Sequence, residues 1–185
     1  MSDLKREGYL RRLTVCALFA ALLCVISPIA IPIGPIPISL GLFGVLLCAV
    51  CLPPSMSLTS VSVYVVIGLC GLPVFSGALG GAPVLAGPTG GYLWSYIVAA
   101  PLVSLLCRRR GFSQGWGVAR IFVACLIGVL LCYFCGILQY VYVTQTPMRA
   151  ALAVCIIPFL PIDIGKALLA ATMGRRLARL ISGRI

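Results

Sequence analysis

Long apolar stretches dominate this chain, and its charged positions gather between them. Residues 13–107 contain no Asp, Glu, Lys, Arg or His. One bilayer crossing requires about 20 consecutive apolar residues, so this stretch alone is long enough for several crossings. The pattern predicts an all-α membrane protein, a six-transmembrane-helix bundle in which residues 1–185 form a single integral membrane domain. The predicted spans are roughly 13–31, 39–52, 57–72, 92–107, 118–143 and 150–169.

Two segments stay apolar but contain too many helix breakers for a spanning helix. Residues 31–38 carry three prolines, which predicts an extended apolar loop. Residues 71–91 contain seven glycines and three prolines, which predicts a structured loop near membrane depth. Irregular backbone at that depth is tolerated only where protein buries it or where it lines a cavity. The second loop is therefore a candidate wall of a binding site.

Composition excludes a water-soluble fold. The chain has 185 residues, of which 62% are hydrophobic and 9% charged, and its mean hydropathy is +1.17. These values lie far outside the range of soluble domains. Six spans and short loops leave no room for a separate soluble domain, so any ATPase that energises this protein must be another chain.

The net charge of +11 does not indicate nucleic-acid binding, because twelve of the fourteen cations lie beside the apolar stretches in three clusters. Lys and Arg accumulate in short cytoplasmic loops. All three clusters lie in the cytoplasm of a cell-membrane protein if four spans separate the first cluster from the second and two spans separate the second from the third. Both termini are then cytoplasmic. The clusters are Lys5, Arg6, Arg11 and Arg12; Arg108, Arg109, Arg110 and Arg120; and Arg175, Arg176, Arg179 and Arg184.

The sequence offers few residues for catalysis or metal binding. The ten cysteines lie almost entirely in apolar runs, which favours a packing role over disulfides. Cys132 and Cys135 form a C-x-x-C without a histidine or a second cysteine pair, whereas zinc prefers four ligands. With no histidine and one internal carboxylate, no acid–base pair is available. We therefore expect no cofactor, no metal and no enzyme; an intramembrane thiol enzyme using these two cysteines is the catalytic alternative.

Asp163 and Lys166 are the strongest candidates for a polar site, since they stand in an otherwise almost wholly apolar window. Three residues apart, they share one face of a helix. Charges inside a membrane are costly and normally point into the bundle or a wet cavity. Such a pair can bind a small polar ligand that offers N–H donors and a carbonyl or carboxylate. The alternative is a neutralised pair that only locks the sixth span against its neighbours.

Gly-Pro-Thr-Gly-Gly-Tyr at 87–92 opens the fourth span. The free N–H groups of a helix N-terminus favour a ligand oxygen there, although a structural turn explains the segment equally well. It lacks the Lys-Ser or Lys-Thr of a P-loop. Ala17 and Ala21 on the first span are small residues four apart, a spacing that allows close helix contact and favours generic internal packing.

Several segments together carry a family resemblance: Gly-Leu-Pro-Val-Phe at 71–75, Gly-Gly at 80–81, Gly-Pro-Thr-Gly-Gly-Tyr-Leu at 87–93, and Pro-Phe-Leu-Pro-Ile-Asp-Ile-Gly-Lys at 158–166. In these the chain resembles the BioY family, the biotin-specific substrate-binding (S) components of energy-coupling factor (ECF) transporters. The proline-rich loop and the six-span layout extend the resemblance over nearly the whole chain.

The resemblance implies a six-helix bundle with an extracytoplasmic, high-affinity biotin site. It also implies partners: a membrane-embedded coupling (T) component, which would dock on Ala17 and Ala21, and two ABC-type ATPase subunits. The residues it implies at the ligand are Asp163, Lys166, Thr89, Gly90, Gly91 and Tyr92, with Phe75, Ser76 and Ile36 as apolar or loop contacts.

Two positions depart from the family pattern. Ile162 stands where the family commonly has Gly before the Asp. Ser95 stands where the family often has a glycine after the Gly-Gly-Tyr segment. We expect the bulk of Ile162 to reshape the pocket beside Asp163, which leaves an S component for another vitamin or a biotin precursor as an alternative. A self-sufficient secondary carrier or channel is the alternative from another class.

Overall fold

The computed structural model describes residues 2–32, 36–108 and 117–182, and these ranges are mostly helical. Arg109, Arg110 and Arg184 of the basic clusters lie outside them. In chain order the elements are α1 (Ser2–Ile26), β1 (Ala30–Ile31), β2 (Ile38–Ser39), α2 (Gly41–Cys51), α3 (Pro54–Leu69), α4 (Ala82–Ala86), α5 (Gly90–Arg108), α6 (Val118–Thr144), α7 (Met148–Cys155) and α8 (Leu160–Ser182).

Within the described ranges, three helices are long and apolar enough to cross a membrane: Arg6–Ile26, Gly90–Arg108 and Val118–Thr144. The pair α7 and α8, bent by 48°, passes the same test as one broken span. These helices confirm an α-helical membrane protein. Helices α2 and α3, with 11 and 16 residues, are shorter than a simple crossing requires.

Two of the predicted spans are wrong in detail. The first helix ends at Ile26 rather than at residue 31, just before Pro28, because a proline disfavours helical backbone in the residue that precedes it. The predicted span 150–169 is two helices, which separate around Pro158. Proline lacks the N–H that a continuous helix needs there. Pro161 is tolerated because it lies in the first turn of α8.

The two irregular segments adopt defined structure. Strands β1 and β2 pair antiparallel, with Ala30 opposite Ser39 and Ile31 opposite Ile38, so the proline-rich segment is a short hairpin rather than only an extended loop; its residues 33–35 lie outside the described ranges. The glycine-rich segment contains α4 and a bridge between Phe75 and Leu79. It is a structured loop, as predicted.

Helix α2 lies at the centre of the bundle, although it is short. Ten of its 11 residues are buried, and it packs against α1, α3, α5, α6 and α8. Helix α1, in contrast, is largely exposed. Ala17 and Ala21 both lie on its exposed surface, so the interpretation of these alanines as internal packing is wrong.

Small residues bring α5 and α6 together. A Cβ atom on Gly91 would overlap the Cys135 carbonyl oxygen, and one on Gly136 would overlap the Tyr92 ring. A Cβ atom on Gly128 would lie 2.6 Å from the Val103 side chain. Small residues at helix interfaces allow this close approach in membranes.

The cysteines fill the same interior. All ten are free, and most are buried. The burial of most of them agrees with the predicted packing role.

Gly91→Ala should destabilise the protein, because the added methyl group forces α5 away from α6. Overpacking of this kind costs about 1–3 kcal/mol, which thermal unfolding in detergent will detect. The control is Gly165→Ala on α8, where an added Cβ meets nothing within 4 Å. Equal stability of the two variants would contradict this account of the interface.

Candidate functional site

A cavity of about 280 Å³ opens at one end of the bundle. Its volume is just below the roughly 300–1,000 Å³ of typical small-molecule sites. The end of α1, the hairpin, the glycine-rich loop, α6 and the starts of α2, α5 and α8 enclose it. Its lining residues are Ser27, Ile36, Pro37, Ser39, Leu42, Phe75, Ser76, Leu79, Val84, Pro88, Thr89, Tyr92, Leu93, Tyr96, Tyr133, Phe159, Asp163 and Lys166.

An ion pair forms the polar centre of this cavity. Lys166 Nζ lies 2.8 Å from Asp163 Oδ1, and the two residues are only 7% and 3% exposed. Tyr133, from α6, donates its hydroxyl hydrogen to Asp163 Oδ2 at 2.7 Å. Lys166 also donates to the Ser39 carbonyl oxygen, at 2.7 Å. The pair thus joins α8, α6 and the hairpin.

These bonds leave capacity for a ligand. The Lys166 ammonium has three N–H donors, and the Asp163 and Ser39 oxygens accept two of them. The Asp163 carboxylate accepts from Lys166 and Tyr133, yet its two oxygens offer about four lone-pair directions. One donor and further acceptor positions therefore remain beside the cavity.

The rest of the wall is mainly apolar and aromatic. Phe75 packs edge-on against Tyr64, with ring centroids 5.7 Å apart and planes at 85°, and the Tyr64 and Ser27 hydroxyl groups share a 2.6 Å hydrogen bond. Ser76 Oγ is buried and has no hydrogen-bond partner among the described residues. A buried hydroxyl of this kind costs free energy unless something bonds to it.

Gln139 on α6 fastens the glycine-rich loop. Its Nε2 donates to the carbonyl oxygens of Leu85 and Gly87, both at 2.8 Å. The residues that flank these carbonyls, Val84 and Pro88, line the cavity. One side chain therefore holds an irregular wall that has little regular hydrogen bonding of its own.

Comparison with known proteins identifies the family. A model of the BioY family matches residues 1–183. The chain belongs to the BioY family. It is 37% identical to the "Biotin transporter BioY" of Thermotoga maritima, over 92% of this chain and 98% of that protein. It is 35% identical to "Biotin transporter BioY2" of Lactococcus lactis subsp. cremoris, over 92% of this chain and 91% of that protein.

The fold agrees. The crystal structure of the S-component for biotin from an ECF-type ABC transporter matches with a TM-score of 0.88 and 27% sequence identity, covering 94% of this chain and 93% of that one. BioY proteins are transporters rather than enzymes, and this chain is a multi-pass protein of the cell membrane.

Most of the residues that the BioY resemblance implied at the ligand meet in the cavity. Those that line it are Ile36, Phe75, Ser76, Thr89, Tyr92, Asp163 and Lys166.

Gly90 and Gly91 are not among the lining residues. A Cβ on Gly90 would overlap the Leu85 carbonyl oxygen and one on Gly91 the Cys135 carbonyl oxygen. These glycines face α4 and α6, where they allow close packing.

The expected effect of Ile162 is wrong. This side chain is 40% exposed and does not line the cavity, because it lies on a different face of α8 from its neighbour Asp163. Ser95 is buried, and its hydroxyl donates to the Tyr92 carbonyl at 2.6 Å. Neither of these two side chains lines the cavity.

Sequence reasoning missed Tyr133, the second partner of the Asp163 carboxylate. A tyrosine within an apolar span is a signal, since its hydroxyl needs a partner away from water. Tyr96 is likewise a tyrosine within an apolar span. Ser39, in contrast, contributes a backbone carbonyl, which no side-chain pattern reveals.

Gln139→Leu should loosen the loop, because the Leu85 and Gly87 carbonyls lose their common donor. At about 1 kcal/mol for each bond, amide hydrogen exchange in residues 79–89 should accelerate about 10- to 30-fold. The control is Gln145→Asn, at the end of the same helix, where the amide reaches only the Tyr142 carbonyl. Unchanged exchange in the Gln139 variant would contradict the assigned role.

Proposed function

We propose that this BioY protein is the S component of an ECF-type vitamin uptake transporter and captures biotin in the cavity described above. Family membership, the similarity to biotin transporters and the fold match support this function. The observation that carries it is the buried Asp163–Lys166 pair, which presents both a donor and acceptors to a cavity of suitable size.

Biotin's ureido ring suits the polar centre. It offers two N–H donors and one carbonyl, which match the free acceptor positions of Asp163 and the free donor of Lys166. The two charges neutralise each other, so this centre favours a neutral polar group over an anion. We assign the ureido ring to this pair, and its fused apolar ring to the aromatic wall around Phe75 and Tyr96.

The carboxylate of biotin then belongs at the other polar part of the wall. A second negative charge beside Asp163 would be unfavourable. Ser76 Oγ, buried without a partner in the described part of the chain, and the Thr89 hydroxyl are the groups left to receive it. Thr89 also precedes the N-terminus of α5, whose dipole favours an anion.

We further propose that one integral membrane domain holds six membrane-embedded segments, α1, α2, α3, α5, α6 and the bent pair α7–α8, with both termini in the cytoplasm. Arg108 ends α5, Arg120 lies in the first turn of α6, and Arg175 and Arg179 lie near the end of α8. All are remote from the cavity, which forms where α5 and α8 begin. The positive-inside rule then makes the cavity extracytoplasmic.

Energy must come from partner chains in this proposal: a T component and two ABC-type ATPases. Ala17 and Ala21 are exposed one turn apart on α1, a helix that the rest of the bundle largely leaves uncovered. Small residues let a partner helix approach closely. We assign them to docking of the T component.

Asp163→Asn and Lys166→Ala should each weaken biotin binding. Hydrogen bonds to charged groups contribute about 1.5–3 kcal/mol, so the Kd should rise about 10- to 150-fold in titration of the purified protein in detergent. Arg149→Ala removes an exposed cation from α7 and should leave the Kd unchanged.

Either single variant leaves a buried charge unpaired, which by itself is destabilising. Two further variants avoid this. Asp163→Asn with Lys166→Gln neutralises both charges, and Tyr133→Phe removes one hydroxyl and should raise the Kd about 2- to 12-fold. A folded double variant that binds biotin like wild type would make the pair a structural lock and contradict the site. A folded wild type that ignores biotin but binds another vitamin would contradict the ligand.

Ala17→Leu with Ala21→Leu should separate binding from transport. Biotin affinity in detergent should stay unchanged, since α1 presents these residues away from the cavity. Copurification with the T component and uptake into cells should fall at least about 10-fold, because the larger side chains block close helix contact. Ala119→Leu, also at an exposed position but on α6, serves as the control. Full uptake by the α1 variant would overturn the docking assignment.

A further inference from the structure

A second cavity, of about 230 Å³, lies at the other end of the bundle. It forms between the start of α6 and the last turns of α8. Its lining residues are Val118, Thr172, Arg175, Arg176 and Arg179. Three arginine residues therefore line one small recess, which is separate from the cavity that contains Asp163 and Lys166.

Nothing in the described part of the chain neutralises these arginines. The whole sequence contains three acidic residues, Asp3, Glu7 and Asp163. Asp163 is paired with Lys166 in the other cavity, and no ion pair joins Arg175, Arg176 or Arg179 to a described carboxylate. Three like charges around one recess repel each other, so the recess favours an anion.

The adjoining end of α6 adds to this preference. Gly117 caps the helix without a side-chain hydrogen bond, and its first turn carries no acidic residue. The first N–H groups of a helix lack partners within it and give that end a partial positive charge. The recess thus lies between three arginine residues and the positive end of a 27-residue helix.

The depth of the recess suggests what supplies the anion. Arg175 follows Asp163 by twelve positions on α8, which corresponds to about 18 Å along a helix axis. In the topology proposed above, on which this step rests, that distance places the arginines near the cytoplasmic headgroups. Val118 and Thr172 form the less polar part of the lining.

We propose that this recess binds the phosphate group of an anionic phospholipid. The paired N–H donors of an arginine guanidinium group match phosphate oxygens in geometry as well as charge. The positive-inside rule accounts for the number of cations at this end, but it does not require three of them to line one recess. A lipid bound here fastens the end of α8 to the start of α6.

The test is titration of the purified full-length chain with short-chain phosphatidylglycerol in a neutral detergent, followed by native mass spectrometry. Arg176→Gln with Arg179→Gln should raise the Kd of the first bound lipid about 25-fold, since each arginine near an anionic lipid contributes about five-fold. Arg6→Gln with Arg12→Gln removes the same charge from exposed positions on α1 and should raise it less than about two-fold. Arg176→Lys with Arg179→Lys should give an intermediate value.

Several outcomes would overturn the proposal. If both double Gln variants lose the same affinity for the lipid, the effect comes from overall charge rather than from the recess. If phosphatidylcholine binds as tightly as phosphatidylglycerol, the recess does not recognise an anion. Displacement of the lipid by millimolar inorganic phosphate would assign the recess to a free anion instead. Biotin titration of the same variants should match wild type, so failure of the lipid site and failure of the biotin site remain distinguishable.

Discussion

A carboxylate and an ammonium held 2.8 Å apart inside a membrane bundle persist only when further hydrogen bonds stabilise both charges and lipid is kept away. Each surrounding element contributes to that condition. Helix α6 brings the Tyr133 hydroxyl, the hairpin brings the Ser39 carbonyl, and α2 supplies the buried apolar packing next to them. The same arrangement leaves a donor and acceptors directed at the cavity, so what stabilises the pair also makes it able to bind a polar ligand.

The irregular parts of the chain collect around this pair for a related reason. A hairpin, a glycine-rich loop and the break between α7 and α8 all expose backbone groups that lipid cannot satisfy. They lie at the cavity end, where Gln139 binds the carbonyls of Leu85 and Gly87. The long helices α5 and α6 support these segments.

Sequence predicted the membrane class and the charged pair because both depend on strong local signals: long uncharged stretches, and two charges three residues apart on one helix. The family resemblance added Thr89, Tyr92 and Phe75. It also suggested Gly90 and Gly91, which prove to pack against other backbone, since glycine motifs do not reveal whether a ligand or a helix approaches them. Tyr133, the outward orientation of Ile162 and the exposure of Ala17 depend on how helices rotate against each other, which a single sequence does not determine.

The central claim is that biotin is held at Asp163, Lys166 and Tyr133, and an experimental structure of the protein with biotin tests it most directly. The account predicts the ureido ring within about 3.2 Å of Asp163 and Lys166, the distance of an ordinary hydrogen bond, with the carboxylate toward Ser76 and Thr89. Biotin bound elsewhere, or with its carboxylate against Asp163, would contradict it.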